Sequence, residues 1–149
     1  MQSPTFDVSL DDAPSDEIVD YIESELLEAL GSKAAANRFG DLSVVARDRN
    51  GTLVAGLVGT TAYGWLLVKM LWVAEAKRGH GLGRHLMQIA ETEARRRGCH
   101  GAWLDTSSDR ARQFYAVLGY EQFGLLENSA EQQPAGHRRW FLRKSLATE

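Results

Sequence analysis

Cysteine is nearly missing from this 149-residue sequence, with Cys99 its only thiol. One thiol closes no internal disulfide, and the four histidines fall at no spacing that would pair with it in a zinc site, so no metal centre is expected. A reducing, cytoplasmic setting is the corresponding expectation. Long apolar runs are missing too: no stretch approaches the ~18 uninterrupted apolar residues of a spanning helix. The opening segment MQSPTFDVSLDD has no basic region ahead of an apolar one. Neither secretion nor a membrane partner is therefore expected. Basic residues are absent from Met1 to Leu30, which carries nine carboxylates and so a charge of −9, while the remainder holds all 17 Lys and Arg against 11 acidic residues, or +6. The net charge of −3 hides this division. With 44% hydrophobic and 25% charged residues the composition is that of a folded domain, and 149 residues suffice for one domain spanning 1–149, without repeats or linkers.

The pattern along the chain predicts an α/β (α+β) fold with a mixed central sheet, a parallel βαβ core and flanking helices. Asp12-Ala-Pro-Ser-Asp-Glu reads as a helix start, with acidic residues in the first turn where the helix dipole favours them. Ile18, Tyr21, Ile22, Leu26, Ala29 and Leu30 follow at helical spacing, and Gly31 ends the run. Leu42–Asp48 and Thr52–Gly59 read as strands joined in a hairpin at Arg49-Asn50-Gly51. Trp65–Val73, almost wholly apolar, reads as a central strand buried on both faces. Leu82, Leu86, Ile89, Ala90 and Ala94 predict the buried stripe of a second helix ending at Gly98, with Glu91/Arg95 and Glu93/Arg97 as ion pairs on its surface. Ala102–Thr106, Tyr120–Leu126 and Arg139–Lys144 read as strands and Asp109–Leu118 as a helix, with a polar loop over Glu127–Gly136. A strand, a helix and a strand in succession around Gly98 imply a parallel pair.

Between the third strand and the second helix the sequence runs Lys77-Arg78-Gly79-His80-Gly81-Leu82-Gly83-Arg84. A glycine-rich turn at a helix start leaves backbone N–H groups unpaired at the positive end of the dipole, a site for an anion such as phosphate. The dinucleotide fingerprint Gly-x-Gly-x-x-Gly fails, because the positions for its last glycine hold Arg84 or Leu86. The P-loop pattern fails as well, since no Gly-Lys-Ser/Thr follows.

The motif that fits is Arg78-x-x-Gly81-x-Gly83, followed at the expected distance by Ala111-x-x-Phe114-Tyr115-x-x-x-Gly119-Tyr120. In these two segments the chain resembles the GNAT superfamily of acyl-CoA-dependent N-acetyltransferases, most strongly from about Leu66 to Gly124. The resemblance implies the GNAT fold, acetyl-CoA as acyl donor and an amine acceptor. It implies that Arg78, Gly79, His80, Gly81, Leu82, Gly83 and Arg84 hold the pyrophosphate. The pantetheine arm would lie along Leu71, Trp72 and Val73, and Phe114 and Ser108 would complete the cofactor side. Tyr115 takes the position of the group that assists the leaving thiolate. Two departures stand out: Ser108 replaces the asparagine many relatives carry, and Trp65–Val73 lacks the frequent glutamate, Lys69 being its only ionisable residue.

Acyl transfer needs a neutral amine, yet an amine with a pKa near ~10.4 is neutral in only about one molecule in a few thousand at pH 7. A base is therefore useful, and Asp105, at the end of the next parallel strand, and Glu75, just before the glycine turn, are the candidates. In relatives the first helix and the loop before the last strand border the acceptor, which makes Tyr21, Glu25, Glu28 and His137 the acceptor-side residues here. The acceptor would be a small-molecule or peptide amine, and a homodimer is compatible with the sequence. A CoA-binding module without turnover is the alternative reading. A nucleic-acid binder, prompted by Arg95-Arg96-Arg97, is not expected, because those arginines suit a helix end.

Overall fold

The computed structural model describes residues 5–31 and 40–146. The chain divides into two units, Met1–Ala36 and Asn37–Glu149. In the first, helix α1 (Asp16–Leu30) is capped by Ser15, whose hydroxyl accepts from the Ile18 amide at 3.2 Å, and it ends at Gly31 with φ of 58°. The helix thus begins four residues later than the earliest start signal, because the serine side chain supplies the first-turn acceptor.

In the second unit six strands form one mixed sheet: β1 (Gly40–Arg47), β2 (Leu53–Ala62), β3 (Trp65–Val73), β4 (Gly101–Thr106), β5 (Glu121–Glu127) and β6 (Arg138–Ser145), in the order β1-β2-β3-β4-β6-β5. The β3–β4 pair is parallel and every other pair antiparallel. Helix α2 (Leu82–Arg96) makes the crossover between β3 and β4, and helix α3 (Asp109–Val117) joins β4 to β5. The predicted βαβ unit and the hairpin at Arg49-Asn50-Gly51 are present, and a second hairpin joins β2 to β3. Tyr63 and Gly64, at φ of 53° and 82°, make the two-residue turn between Ala62 and Trp65, the handedness that matches strand twist.

Leu57, Leu66, Leu86, Met87, Leu104 and Leu146 are fully buried between the sheet and the helices of this unit. The helix stripe differs from the predicted one by a shift around its axis: Met87 is buried where Ile89 was expected, and Ile89 is exposed. β3 departs from its prediction as well, being buried on one face only. Its register against β2 slips between Val58 and Gly59, so that Lys69 is an extra residue. Before the bulge Leu66 and Val68 face the core; after it Leu71 and Val73 do, and Met70 and Trp72 stand exposed on the opposite face.

Glu91 was expected to pair with Arg95 on the surface but is buried. Its carboxylate accepts from Lys144 Nζ of β6 at 2.7 Å and from the Tyr120 hydroxyl at 3.0 Å. Burial and the adjacent Glu91 charge push the Tyr120 phenol well above its ordinary pKa, so it remains a donor. The predicted Glu93–Arg97 pair is present at 3.4 Å, and Arg96 shares the same carboxylate at 2.6 Å. Removing one member of a buried pair leaves an uncompensated charge. Lys144→Met is therefore expected to cost about 3–5 kcal/mol in urea unfolding, with part regained in Lys144→Met/Glu91→Leu; a single-variant loss below ~1 kcal/mol contradicts the clamp.

Candidate active site

The parallel ladder between β3 and β4 is short. Trp65, Leu66 and Leu67 pair with Gly101, Ala102 and Trp103, and pairing stops there. β3 runs six residues further, to Val73, and β4 three further, to Thr106, so the strands part toward their C-terminal ends. A gap in a sheet exposes backbone donors and acceptors that a ladder would otherwise consume. It opens beside the start of α2, the glycine turn.

Gly81 is the N-cap of α2 in a left-handed conformation, φ 78°, and a side chain at this residue would be strained. No atom lies within 4 Å of the Cβ that Gly79 or Gly81 would carry, so the concave side of the turn is open. Among the described residues, none of the six consecutive amides from Gly79 to Arg84 donates a hydrogen bond to the chain; the first helical bond is from the His85 amide to the Gly81 carbonyl at 3.0 Å. Six free amides at the positive end of a 15-residue helix form an anion cradle. Gly83 serves a different need: its missing Cβ would sit 3.4 Å from the Phe114 ring and 3.6 Å from Val73, so the second motif packs against the first here.

Arg78 has a role that its motif position does not disclose. Its Nε donates to the carbonyl of Val73, the last residue of β3, at 2.9 Å, tying the turn to the strand end. His80 and Arg84 are exposed beside the cradle, and Leu82 packs into the core. Leu71 and Val73 line the core side of the diverging strand, while the Trp72 side chain lies on the other face. Ser108 is the N-cap of α3: its hydroxyl accepts from the Ala111 amide at 3.1 Å, and its own amide donates to Thr106 Oγ1 at 3.1 Å.

Tyr115 is buried on α3 with its ring edge-on to Phe114 and Tyr120, at centroid separations of 5.1 and 5.8 Å. Burial pushes its phenol up to about 12, so it stays protonated through the neutral and mildly alkaline range. Its hydroxyl has no hydrogen-bond partner among the described residues, which is costly for a buried donor unless a ligand supplies one. Asp105 is engaged by Arg139, Nε to Oδ2 at 2.6 Å, and Glu75 is exposed at the start of the short 3-10 turn Glu75–Lys77. His137 Nε2 lies 3.0 Å from Ser107 Oγ at the end of β4. Sequence reasoning missed Ser107, whose partner is thirty positions away and signalled by no local motif. Tyr21, Glu25 and Glu28 lie in the other unit, exposed at positions of α1 that share one face. Among the described residues no group of His, Cys, Asp and Glu could hold a metal ion.

The family model described as the Acetyltransferase (GNAT) family matches residues 7–120. An acetyltransferase of Agrobacterium fabrum is 37% identical over 72% of this chain and 88% of its own length. The blasticidin-S acetyltransferase of Streptomyces morookaense is 39% identical over 64% of this chain and 68% of its own. The crystal structure of an acetyltransferase from Agrobacterium tumefaciens superposes with a TM-score of 0.83 at 33% identity, covering 94% of this chain and 99% of the other.

Gly81→Glu places a carboxylate in the cradle and a side chain at a left-handed position. Calorimetry is expected to show acetyl-CoA affinity reduced at least ~100-fold by the charge and the lost amide geometry together; retained affinity removes the anion site from this turn.

Proposed function

This chain belongs to the acetyltransferase (GNAT) family, and from that premise we propose that it moves an acetyl group from acetyl-CoA to the primary amine of a small molecule by direct attack in the gap between β3 and β4. The observation that carries the reading is the run of free amides from Gly79 to Arg84 opening onto two strands that have stopped pairing. A pyrophosphate needs several donors at once, and a pantetheine arm needs a strand edge; here one follows the other. The Arg78 Nη groups and the Arg84 guanidinium add positive charge beside the cradle, and His80 flanks it.

In this reading the backbone of Leu71, Trp72 and Val73 faces the thioester arm, and its amides polarise the carbonyl as the amine attacks. The new C–N bond forms, the C–S bond breaks, CoA leaves as a thiolate, and the extra proton on the amide nitrogen passes to solvent. Tyr115 meets that sulfur. Its phenol, pushed up to about 12, is a weaker acid than a thiol of pKa ~8.5, so its service is a hydrogen bond to the developing thiolate, with bulk water supplying the final proton. Phe114 holds the tyrosine's helix against Gly83, and Ser108 sets the angle of that helix by capping it.

A small amine is favoured over a peptide because the relative from Streptomyces morookaense is named for a small-molecule acceptor. The acidic face of α1, with Tyr21, Glu25 and Glu28, suits a cationic amine electrostatically. A cytoplasmic location accords with the lone free thiol and with the absence, among the described residues, of any helix long and apolar enough to cross a membrane.

A thiol-release screen with acetyl-CoA against small amines, peptides and aminoacyl compounds tests the proposal. Turnover with a small amine is expected. Tight acetyl-CoA binding without thiol release across the panel points instead to a binding module. With the amine so identified, Tyr115→Phe is expected to lower kcat by about 10- to 100-fold and leave the acetyl-CoA Kd within about twofold; unaltered turnover removes the phenol from the mechanism. Glu25→Gln/Glu28→Gln is expected to raise the KM of the amine several-fold at low ionic strength, an effect that added salt erases; an unchanged KM dismisses the steering role.

A further inference from the structure

β3 contains no carboxylate, Asp105 is held by Arg139 and Glu75 sits in an exposed turn, so the proton of the acceptor ammonium has no evident destination among them. A different group stands at the mouth of the gap. On β4 the side chains of Ala102 and Leu104 are buried, as are those of Trp140 and Leu142 on β6. Arg112 and Phe114 of α3 lie over that same side, against Trp140 and Gly83. The alternating residues Trp103, Asp105 and then Ser107 belong to the opposite face, with Arg139 and Phe141 of β6. Met70 and Trp72, displaced by the bulge, emerge on that face from β3. At its β4 edge Ser107 meets His137.

The imidazole is held by its own backbone. The Asn128 amide donates to the His137 carbonyl at 2.8 Å, and the His137 amide donates to the Pro134 carbonyl at 3.2 Å. The loop ahead of it is closed by the Gly136 amide on the Ser129 carbonyl at 3.1 Å and by Asn128 Nδ2 on Pro134 at 3.1 Å. Side-chain position then follows from a fixed main chain. Three carboxylates at this end of the sheet are already matched to guanidinium groups, Asp105 to Arg139, Glu127 to Arg138 and Asp109 to Arg112, while Glu131 in the loop ahead of His137 and Glu75 beyond β3 are exposed. Among the described residues His137 has no carboxylate or cation bound to its ring, and its Nε2 faces Ser107 Oγ alone.

Building on the amine-acetylation reading, we propose that Ser107 and His137 form the proton relay for the acceptor. In the resting pair the ring hydrogen is on Nδ1, and Ser107 Oγ–H donates to Nε2. The acceptor ammonium gives a proton to Ser107 Oγ as the serine proton passes to Nε2, leaving a neutral amine and an imidazolium. The amine then attacks the thioester carbon, the C–S bond breaks, the extra proton on the new amide nitrogen passes to solvent, and the imidazolium returns its own proton to solvent after the thiolate has left. Ser107 touches the substrate and is catalytic; His137 acts through it.

The test measures kcat/KM against pH, with the amine found in the screen, for the wild type, Ser107→Ala, His137→Gln and the double variant. Each single variant is expected to lose about 100-fold at pH 7, the double variant no more than either, with acetyl-CoA Kd unchanged. The acid limb of the wild type should move in His137→Gln to the pKa of the amine itself, since only free amine then reacts. A limb that stays in place, or losses that multiply in the double variant, overturns the relay. Independently of any acceptor, the two-bond 1H–15N spectrum of His137 in the whole protein should show a neutral ring with its hydrogen on Nδ1, and an Nε2 resonance that shifts in Ser107→Ala. A hydrogen on Nε2, or no shift, overturns the pair. If the wild type acetylates no amine, the amine-acceptor reading fails on its own terms, while the spectrum still decides the pair.

Discussion

The constraint on which the site depends is the early end of the parallel ladder. Three residue pairs hold β3 to β4, and beyond them each strand keeps its other neighbour, β2 or β6. The sheet therefore stays continuous at its base and divided at its top. The bulge at Lys69 assists this: one extra residue bends β3 and raises its twist, and it exchanges the two faces. Leu71 and Val73 thereby continue the core that Leu66 and Val68 begin, so the strand diverges without losing its packing. Without the bulge Met70 and Trp72 would have to enter the core where the smaller Val73 now sits. The Arg78 bond to Val73 then fixes where the divergent strand stops and the turn begins.

A gap in a sheet is useful only if the elements around it do not close it. Three contacts of α2 do that holding. At the helix start Gly83 lets Phe114 approach, coupling α2 to α3. In the middle Glu91 reaches Lys144 on β6 and Tyr120 at the start of β5. At its end Arg97 donates to the carbonyls of Gly40 and Asp41 on β1, at 3.1 and 3.3 Å. One helix is thus tied to strands on both sides of the split. A buried carboxylate is an expensive way to do this, and the saturation of Glu91 by a cation and a phenol is what makes it tolerable. Tyr120 also packs on Tyr115, so the clamp and the proposed thiolate donor share a ring contact.

Much of this was legible in the chain, and what was not has a physical reason. The first hairpin, the parallel crossover and the glycine turn ahead of α2 depend on local signals, namely glycines at left-handed positions and periodic apolar residues, and all are present. The choice of Met87 over Ile89 is decided by how far α2 rotates against the sheet, which periodicity leaves free by one position. The exposure of Trp72 depends on a one-residue slip, and an apolar run cannot announce a bulge within itself. Glu91 looked like a surface residue because its true partner is 53 positions away, and Ser107 went unnoticed because His137 is 30 away. Both are contacts that only strand order creates.

The charge division of the sequence acquires a finer grain from the same geometry. The +6 of the longer part is not a uniform basic surface. On β6 and α3, Arg112, Arg138, Arg139 and Lys144 are matched by Asp109, Glu127, Asp105 and Glu91. Arg96 and Arg97 share Glu93. Lys77, Arg78 and Arg84 make no such pair among the described residues, and they flank the six free amides. Paired charges cancel within about a Debye length of ~8 Å at physiological salt, whereas unpaired cations beside a helix start add to its dipole. Positive charge at the glycine turn therefore stands uncancelled beside a run of backbone amides that can hydrogen-bond an anion. Within the run Arg95-Arg96-Arg97, which suggested a nucleic-acid surface when read in sequence, Arg96 and Arg97 are engaged by Glu93, and Arg97 also by the carbonyls of β1. Unpaired cations set beside free amides, more than the net charge, are what support the proposal that the glycine turn seats a phosphorylated donor.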